Sequence, residues 1–502
     1  MAERTFLVPL DSRPANTDMP ERMSASAGIA VDRPPLSVLG SLRRPADIPA
    51  VRGWLEESLR AGVRRVILST DMLAYGGLVA SRSPATSLRD AERNLSFVKK
   101  LKKKYSDLEI YAFGVIPRDA TTAADSESFR RWSEQMRGAD TKAAAAARPG
   151  RERNFRINMN LIEWAAEGAL DFFALGKEDT ASGNPNSAEI EALDAAARAA
   201  GGDRAAVLTG ADELAQIMLA RCFLRRARAP LKFFIDCSRK DMEIVPLYEP
   251  GPIGENIRMQ IMCAGGVEAD SAADADAVLL PAVSRGAEDL FLAQLRGGRA
   301  APDEVPHALL EKIGRHARAG RAVGLIDALR INGSSPALVE ALLNKKLFFR
   351  LAGYAGWNTA SNSSGTVVAQ TALAAAGARE VPLGSARANN RAVARARFML
   401  DRLAEDYVFS AFARGELARR LESPMDMKYT EDVRLALNER MELRFGKTLK
   451  RAFAGGAAKV YAGGARALSA DVATVRIHAC LPWKRLFEAR IDLDVRLRMI
   501  DG

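Results

Sequence analysis

The chain has 502 residues, 48% hydrophobic and 27% charged, with 73 Lys+Arg against 62 Asp+Glu and a formal net charge of +11. That length exceeds what one hydrophobic core usually serves, so a large domain with an appendage, or two domains, is expected. Composition argues against several classes of protein at once. No apolar run in the sequence approaches the roughly 20 residues of a membrane helix. Met1-Ala2-Glu3-Arg4 leads straight into Thr5-Phe6-Leu7-Val8, with neither the long apolar stretch nor the cleavage site of a signal peptide, so a cytoplasmic protein that does not engage membranes is expected. Cys222, Cys237, Cys263 and Cys480 are scattered without a CxxC pair, against a disulfide framework and against a zinc knuckle. The basic excess is interleaved with acids instead of forming a stripe beside aromatics, so nucleic acid is not an expected partner. Three histidines, His307, His316 and His478, lie away from every motif described below, which leaves the chemistry to Asp, Glu, Tyr, Lys or a hydroxyl.

In chain order, short apolar runs end in polar clusters and give way to helical stretches. Strands are predicted at 5–10, 65–69, 109–116, 171–176, 205–209, 231–235, 277–280 and 321–326, with a further apolar run at 347–352. Helices are predicted at 49–61, 88–105, 158–169, 187–200, 211–221 and 303–319. This alternation implies a mainly parallel sheet covered on both faces. Eight such units fit a (β/α)8 barrel. Two doubly wound α/β domains fit the same pattern, with the ligand at the strands' carboxyl edges. The expected division is an α/β barrel-like domain over 1–379 and a mostly helical region over 380–502. Helices at 386–420 and 431–453 are expected to pack on the barrel or to drive homo-oligomerisation. No internal repeat is apparent, and the alanine-rich 143–150 reads as a linker.

Polar residues gather after the predicted strands: Asp11-Ser12-Arg13, then Asp71 and Tyr75-Gly76-Gly77 with Arg82, then Arg118, Glu178-Asp179, Asp212, Asp236, Asp327 with Asn332, and Trp357-Asn358 with Asn362. Each single acid has an ordinary explanation as a helix N-cap, and Asp212, directly before a helical run, suits it best. Paired acids, nearby arginines, a tyrosine and a Gly-Trp-Asn-Thr turn together exceed what capping needs. Glycines beside Tyr75 and Trp357 would let backbone approach a ligand while the ring offers a flat face, or the tryptophan is simply core. Glu178 and Asp179 are the expected acid pair, because adjacent carboxylates cannot both ionise freely. Arg13, Arg82 and Arg118 each stand near an acid, and two of the three are expected to be internal ion pairs. Neither a P-loop nor a GxGxxG motif follows the first strand, so no cofactor is expected.

The segments Pro9-Leu10-Asp11-Ser12-Arg13-Pro14, Ser69-Thr70-Asp71-Met72 with Tyr75-Gly76-Gly77-Leu78, Gly356-Trp357-Asn358-Thr359 with Asn362 and Gly365, and Leu481-Pro482-Trp483-Lys484-Arg485-Leu486-Phe487-Glu488 resemble a bacterial family catalogued as domain of unknown function 4127. The resemblance spans nearly the whole chain and implies no established activity. The family's fourth strand ends in two aspartates, from which Glu178-Asp179 departs.

Residue chemistry points first to a carbohydrate-active hydrolase, since glycoside cleavage needs two carboxylates and neither metal nor histidine. An acid pair after the fourth strand looks like the arrangement of substrate-assisted N-acetylhexosaminidases. Asp179 would then be the acid and Glu178 would orient an acetamido group. Asp327 or Asp71 would serve as nucleophile or base, and Asn332, Trp357 and Asn358 would bind the sugar. Asp11, Arg13, Tyr75, Arg118, Asp212 and Asn362 complete the expected substrate contacts. A lyase or isomerase of an anionic metabolite, with a divalent cation on Asp71, Asp179 and Asp212, is the alternative. A non-catalytic small-molecule binding protein is the third reading.

Overall fold

A computed structural model describes residues 3–118, 141–178, 187–227, 229–298, 305, 307–382, 384–421, 423–464 and 467–500. The parallel strands are divided between two open sheets. The first holds β1 (Glu3–Val8), β2 (Ile29–Asp32), β3 (Arg65–Ser69), β4 (Glu109–Ile116), β5 (Phe172–Lys177) and β6 (Ala205–Thr209) in the order β2-β1-β3-β4-β5-β6. The second holds β7 (Lys232–Ile235), β8 (Val267–Glu268), β9 (Ala277–Asp289), β10 (Ala322–Ile331) and β11 (Gly353–Ala355) in the order β11-β10-β9-β7-β8. All pairings in both sheets are parallel. No closed eight-stranded ring is present among the described residues; the arrangement has the form of two doubly wound units.

The two units share a plan that the sequence did not betray. Each begins with a strand that is flanked by the second on one side and the third on the other, and the later strands follow outward from the third. The chain therefore reverses its direction of winding between β1 and β3, and again between β7 and β9. Open α/β sheets leave a crevice at the carboxyl ends of such neighbouring strands.

Burial explains why the strands form where they do. All five residues of β3 are buried, as are the last seven of β4, and such two-sided burial requires continuous Val, Ile, Leu and Phe instead of alternation. The helices Ile48–Arg60 and Leu88–Lys104 cover one face of the first sheet. Asp47 and Ser87 cap them by accepting from the Ala50 and Asp90 N–H groups. Their buried stripes are Val51, Leu55 and Leu59, and Ala91, Leu95, Val98 and Leu101.

One helix, Ala360–Arg379, has no polar face: every residue from Ala360 to Gly377 is buried. It packs against β10, β11 and the helices Leu214–Leu224 and Ile253–Cys263, so it lies between the two units. Its run of Ala, Ser, Thr and Gly permits that approach, and at Gly365 an added Cβ would collide with the Glu213 side chain. A helix buried all round shows no periodic pattern, which is why the sequence did not announce it. The alanine-rich 143–150 is part of the helix Thr141–Ala166, not a linker.

The C-terminal region is helical as far as residue 452, through Ala386–Arg402, a wide-turned π-helical stretch Leu403–Ala413, Arg414–Ala418 and Glu431–Ala452. It then departs from expectation. β12 (Ala458–Tyr461), β13 (Ala467–Cys480) and β14 (Arg490–Ile500) form an antiparallel sheet. The loop joining β13 to β14 is the Leu481–Glu488 segment. Among the described residues no helix is long and apolar enough to cross a membrane.

Candidate functional site

The carboxyl ends of both parallel sheets border one cleft. From the first unit come Arg13 after β1, Arg82 after β3, Arg118 after β4, Glu178 closing β5 and Asp212 after β6. Opposite them stand Tyr248, Asn332, Asn358, Thr359 and Asn362, which follow strands of the second unit. Trp483, Arg485 and Phe487 from the β13–β14 loop, with Met425, close the remaining side.

Arg13 is the most tightly held group. Its Nε and Nη2 donate to Asp11 Oδ2 at 2.9 and 2.7 Å, and its Nη2 and Nη1 donate to the two Asp212 oxygens at 2.5 and 2.9 Å. Asn16 Nδ2 donates to both acids, at 3.1 and 3.3 Å. Burial disfavours the guanidinium charge, yet the two carboxylates outweigh it and raise the Arg13 pKa. Asp212 is therefore an ion-pair partner and not the helix cap the sequence suggested; the helix begins at Leu214 and no side-chain cap is made. Glu178 is gripped by Arg82 through Nε, at 3.2 Å to Oε2, and through Nη2 to Oε1, and accepts from the Arg118 N–H at 3.2 Å. Two of the three arginines thus pair internally, Arg13 and Arg82.

The second unit offers neutral groups on unusual backbone. Among the described residues five non-glycine positions have positive φ, and four border the cleft: Tyr248 (68°), Asn332 (62°), Asn358 (48°) and Lys484 (55°), the last between Trp483 and Arg485. Asparagine tolerates this region, whereas a tyrosine there is an outlier of the kind that clusters at functional sites. Asp289, at the end of β9, holds two of these residues. It accepts from Tyr248 Oη at 3.0 Å and from Asn332 Nδ2 at 3.0 Å, while the Asn332 N–H donates to the Asn358 carbonyl at 2.7 Å.

Several residues expected at the site lie beneath it. Asp71 is buried and accepts from the Val115 N–H at 2.9 Å; burial, against that hydrogen bond, pushes its pKa up to about 7. Tyr75 is buried under the Arg153 guanidinium, which sits 4.2 Å from its ring centroid, so it is a packing surface and not an open platform. Asp327 is 1% exposed, its carboxylate accepting from the Ser335 N–H at 2.9 Å and from Tyr354 Oη at 2.9 Å. The Trp357 Nε1–H is spent on Thr366 at 3.1 Å, and its ring faces a smaller chamber behind the cleft. Asp236 pairs with Lys312 and His316 at 2.7 and 2.8 Å and does not line the cleft. Asp179 lies outside the described residues. Among those residues no group of three or more His, Cys, Asp or Glu is placed to hold a metal ion.

Other groups emerged only in three dimensions. Glu213 accepts from Asn362 Nδ2 at 2.6 Å and Gln260 Nε2 at 2.9 Å, and its complete burial drives its pKa up to about 8 despite these donors. The Trp483 ring is approached by two guanidinium groups, Arg13 at 5.1 Å and Arg485 at 5.0 Å, and its Nε1–H donates to Ser12 Oγ at 2.9 Å. The resemblance had drawn attention to this loop, but its position over Arg13 was invisible in the sequence.

Two doubly wound parallel sheets meeting at a polar cleft, with a C-terminal antiparallel sheet reaching over it, define the class of this molecule. The chain belongs to the family described as protein of unknown function DUF4127, whose model matches residues 5–148 and 141–492. No curated protein and no solved structure matches it.

Proposed function

We propose that the cleft binds an anionic, hydroxyl-bearing small molecule of the size of a sugar acid. The observation that carries this reading is the division of the walls: Arg13, Arg82, Arg118 and Arg485 stand against Glu178 and Asp212, while Asn332, Asn358, Thr359 and Asn362 supply neutral donors and acceptors. Guanidinium forks suit carboxylate or phosphate, and amide and hydroxyl groups suit ligand hydroxyls. Arg485 commits its Nε and Nη2 to Glu488 and keeps Nη1 for a ligand.

Hydrolysis of a glycoside is the second reading, favoured by Glu178 lying at the cleft beside Asp179. The Arg82 fork stabilises the charged form of Glu178, which suits a base, a nucleophile or a group orienting the substrate, and assigns the acid role to Asp179. Titration calorimetry with gluconate, glucuronate and glucose tests the first reading. The two acids bind, glucose binds at least tenfold more weakly, and Arg485→Gln weakens both acids about tenfold. Glucose binding as tightly as glucuronate, or neither acid binding, overturns it.

A further inference from the structure

Behind the cleft lies a smaller chamber of about 40 Å³, enough for roughly three waters or one small substituent. It shares Arg13, Asp212, Asn332, Asn358 and Phe487 with the cleft, so one ligand can reach both. The charges belonging to each part alone differ in sign. The cleft alone has Arg82, Arg118 and Arg485 against Glu178, whereas the chamber alone has Glu405 and Glu488 against Arg414.

The chamber's one cation of its own is turned toward carbonyl groups. Arg414 donates from Nε to Gln294 Oε1 at 2.8 Å, and from its terminal nitrogens to the Asn332 and Phe487 carbonyls. It also lies over the Phe291 ring, and burial lowers its pKa to about 9. The aromatic rings of Trp357, Phe409 and Phe487 complete the wall. Carboxylates beside aromatic faces are the surroundings that favour an ammonium group.

We propose that the chamber receives an amino group on the same ligand whose acid group meets the arginines of the cleft. The ligand class is then a zwitterionic amino derivative of a hydroxy acid. This inference rests on the anionic-ligand reading and adds the second charge to it. Asp212 and Arg13, common to both parts, mark the boundary between the acid and amino ends.

Calorimetry on the full chain with gluconate, 2-amino-2-deoxygluconate, 6-amino-6-deoxygluconate and the N-acetylated form of each amine separates the possibilities. One of the two amines binds at least tenfold more tightly than gluconate, and N-acetylation abolishes that gain. In Glu405→Gln the amine falls to the level of gluconate while gluconate itself changes less than twofold; Glu488→Gln repeats the test should Glu405→Gln fail to fold. Gluconate binding as tightly as both amines overturns the inference and leaves the anionic-ligand reading standing. Acetylated amines binding as tightly as the free ones also overturn it, and assign the chamber to an apolar group. Failure of every acid to bind removes both readings together.

Discussion

The two units share a strand order yet give the cleft opposite materials. The first contributes charge, in Arg13, Arg82, Arg118, Glu178 and Asp212; the second contributes neutral side chains, in Tyr248, Asn332, Asn358, Thr359 and Asn362. The charged wall is ordered by ion pairs, above all the Arg13 fork between Asp11 and Asp212. The neutral wall is ordered by backbone held at positive φ and secured from below by Asp289. One topology can therefore position a ligand by two mechanisms: electrostatic pairing, which is strong but costly to desolvate, and steric preorganisation, which needs no charge.

The contrast can be broken most sharply at Arg13. Arg13→Ala leaves Asp11 and Asp212 buried without their cation and is expected to cost about 3–5 kcal/mol, read as a shift of the urea midpoint. A loss below about 1 kcal/mol would mean that the pair is not the organiser of its wall. Asp289→Ala tests the neutral wall. It removes the acceptor of Tyr248 Oη and Asn332 Nδ2 and the cap of the Leu292 N–H, with an expected cost of about 2–3 kcal/mol in the same measurement. The smallest effect separates strain from side-chain chemistry at Asn358. Asn358→Gly stays within about 0.5 kcal/mol of wild type, while Asn358→Val, β-branched at positive φ, costs about 1–2 kcal/mol. Equal stability of the glycine and valine variants would remove strain from the account of this wall.

Legibility followed the physical origin of each feature. The strands 65–69, 109–116 and 205–209 and the helix 187–200 were readable to the residue, because continuous apolar runs and amphipathic stripes are local signals. β14 was legible too, through the alternation of Ile491, Leu493, Val495 and Leu497, but the helical pattern before it drew the reading away. The helix 360–379 was not legible, since burial on all sides erases periodicity. At the site, Asp11, Arg13, Glu178, Asn332 and Asn362 followed from their places after strands. Tyr75, Trp357 and Asp327 occupy the same kind of place and lie beneath the cleft, because a strand end fixes where a residue starts and not which way its side chain turns.

By itself the sequence determined the parallel α/β class and the reliance on carboxylates and arginines, because composition and local periodicity report on both. Only the tertiary structure decided that the strands divide between two sheets with one strand order. It alone paired Arg13 with Asp212 across 199 residues of chain and brought Trp483 from the C-terminal hairpin over that pair. Contacts of such sequence separation are fixed by the packing of whole elements, and no local pattern of residues encodes them.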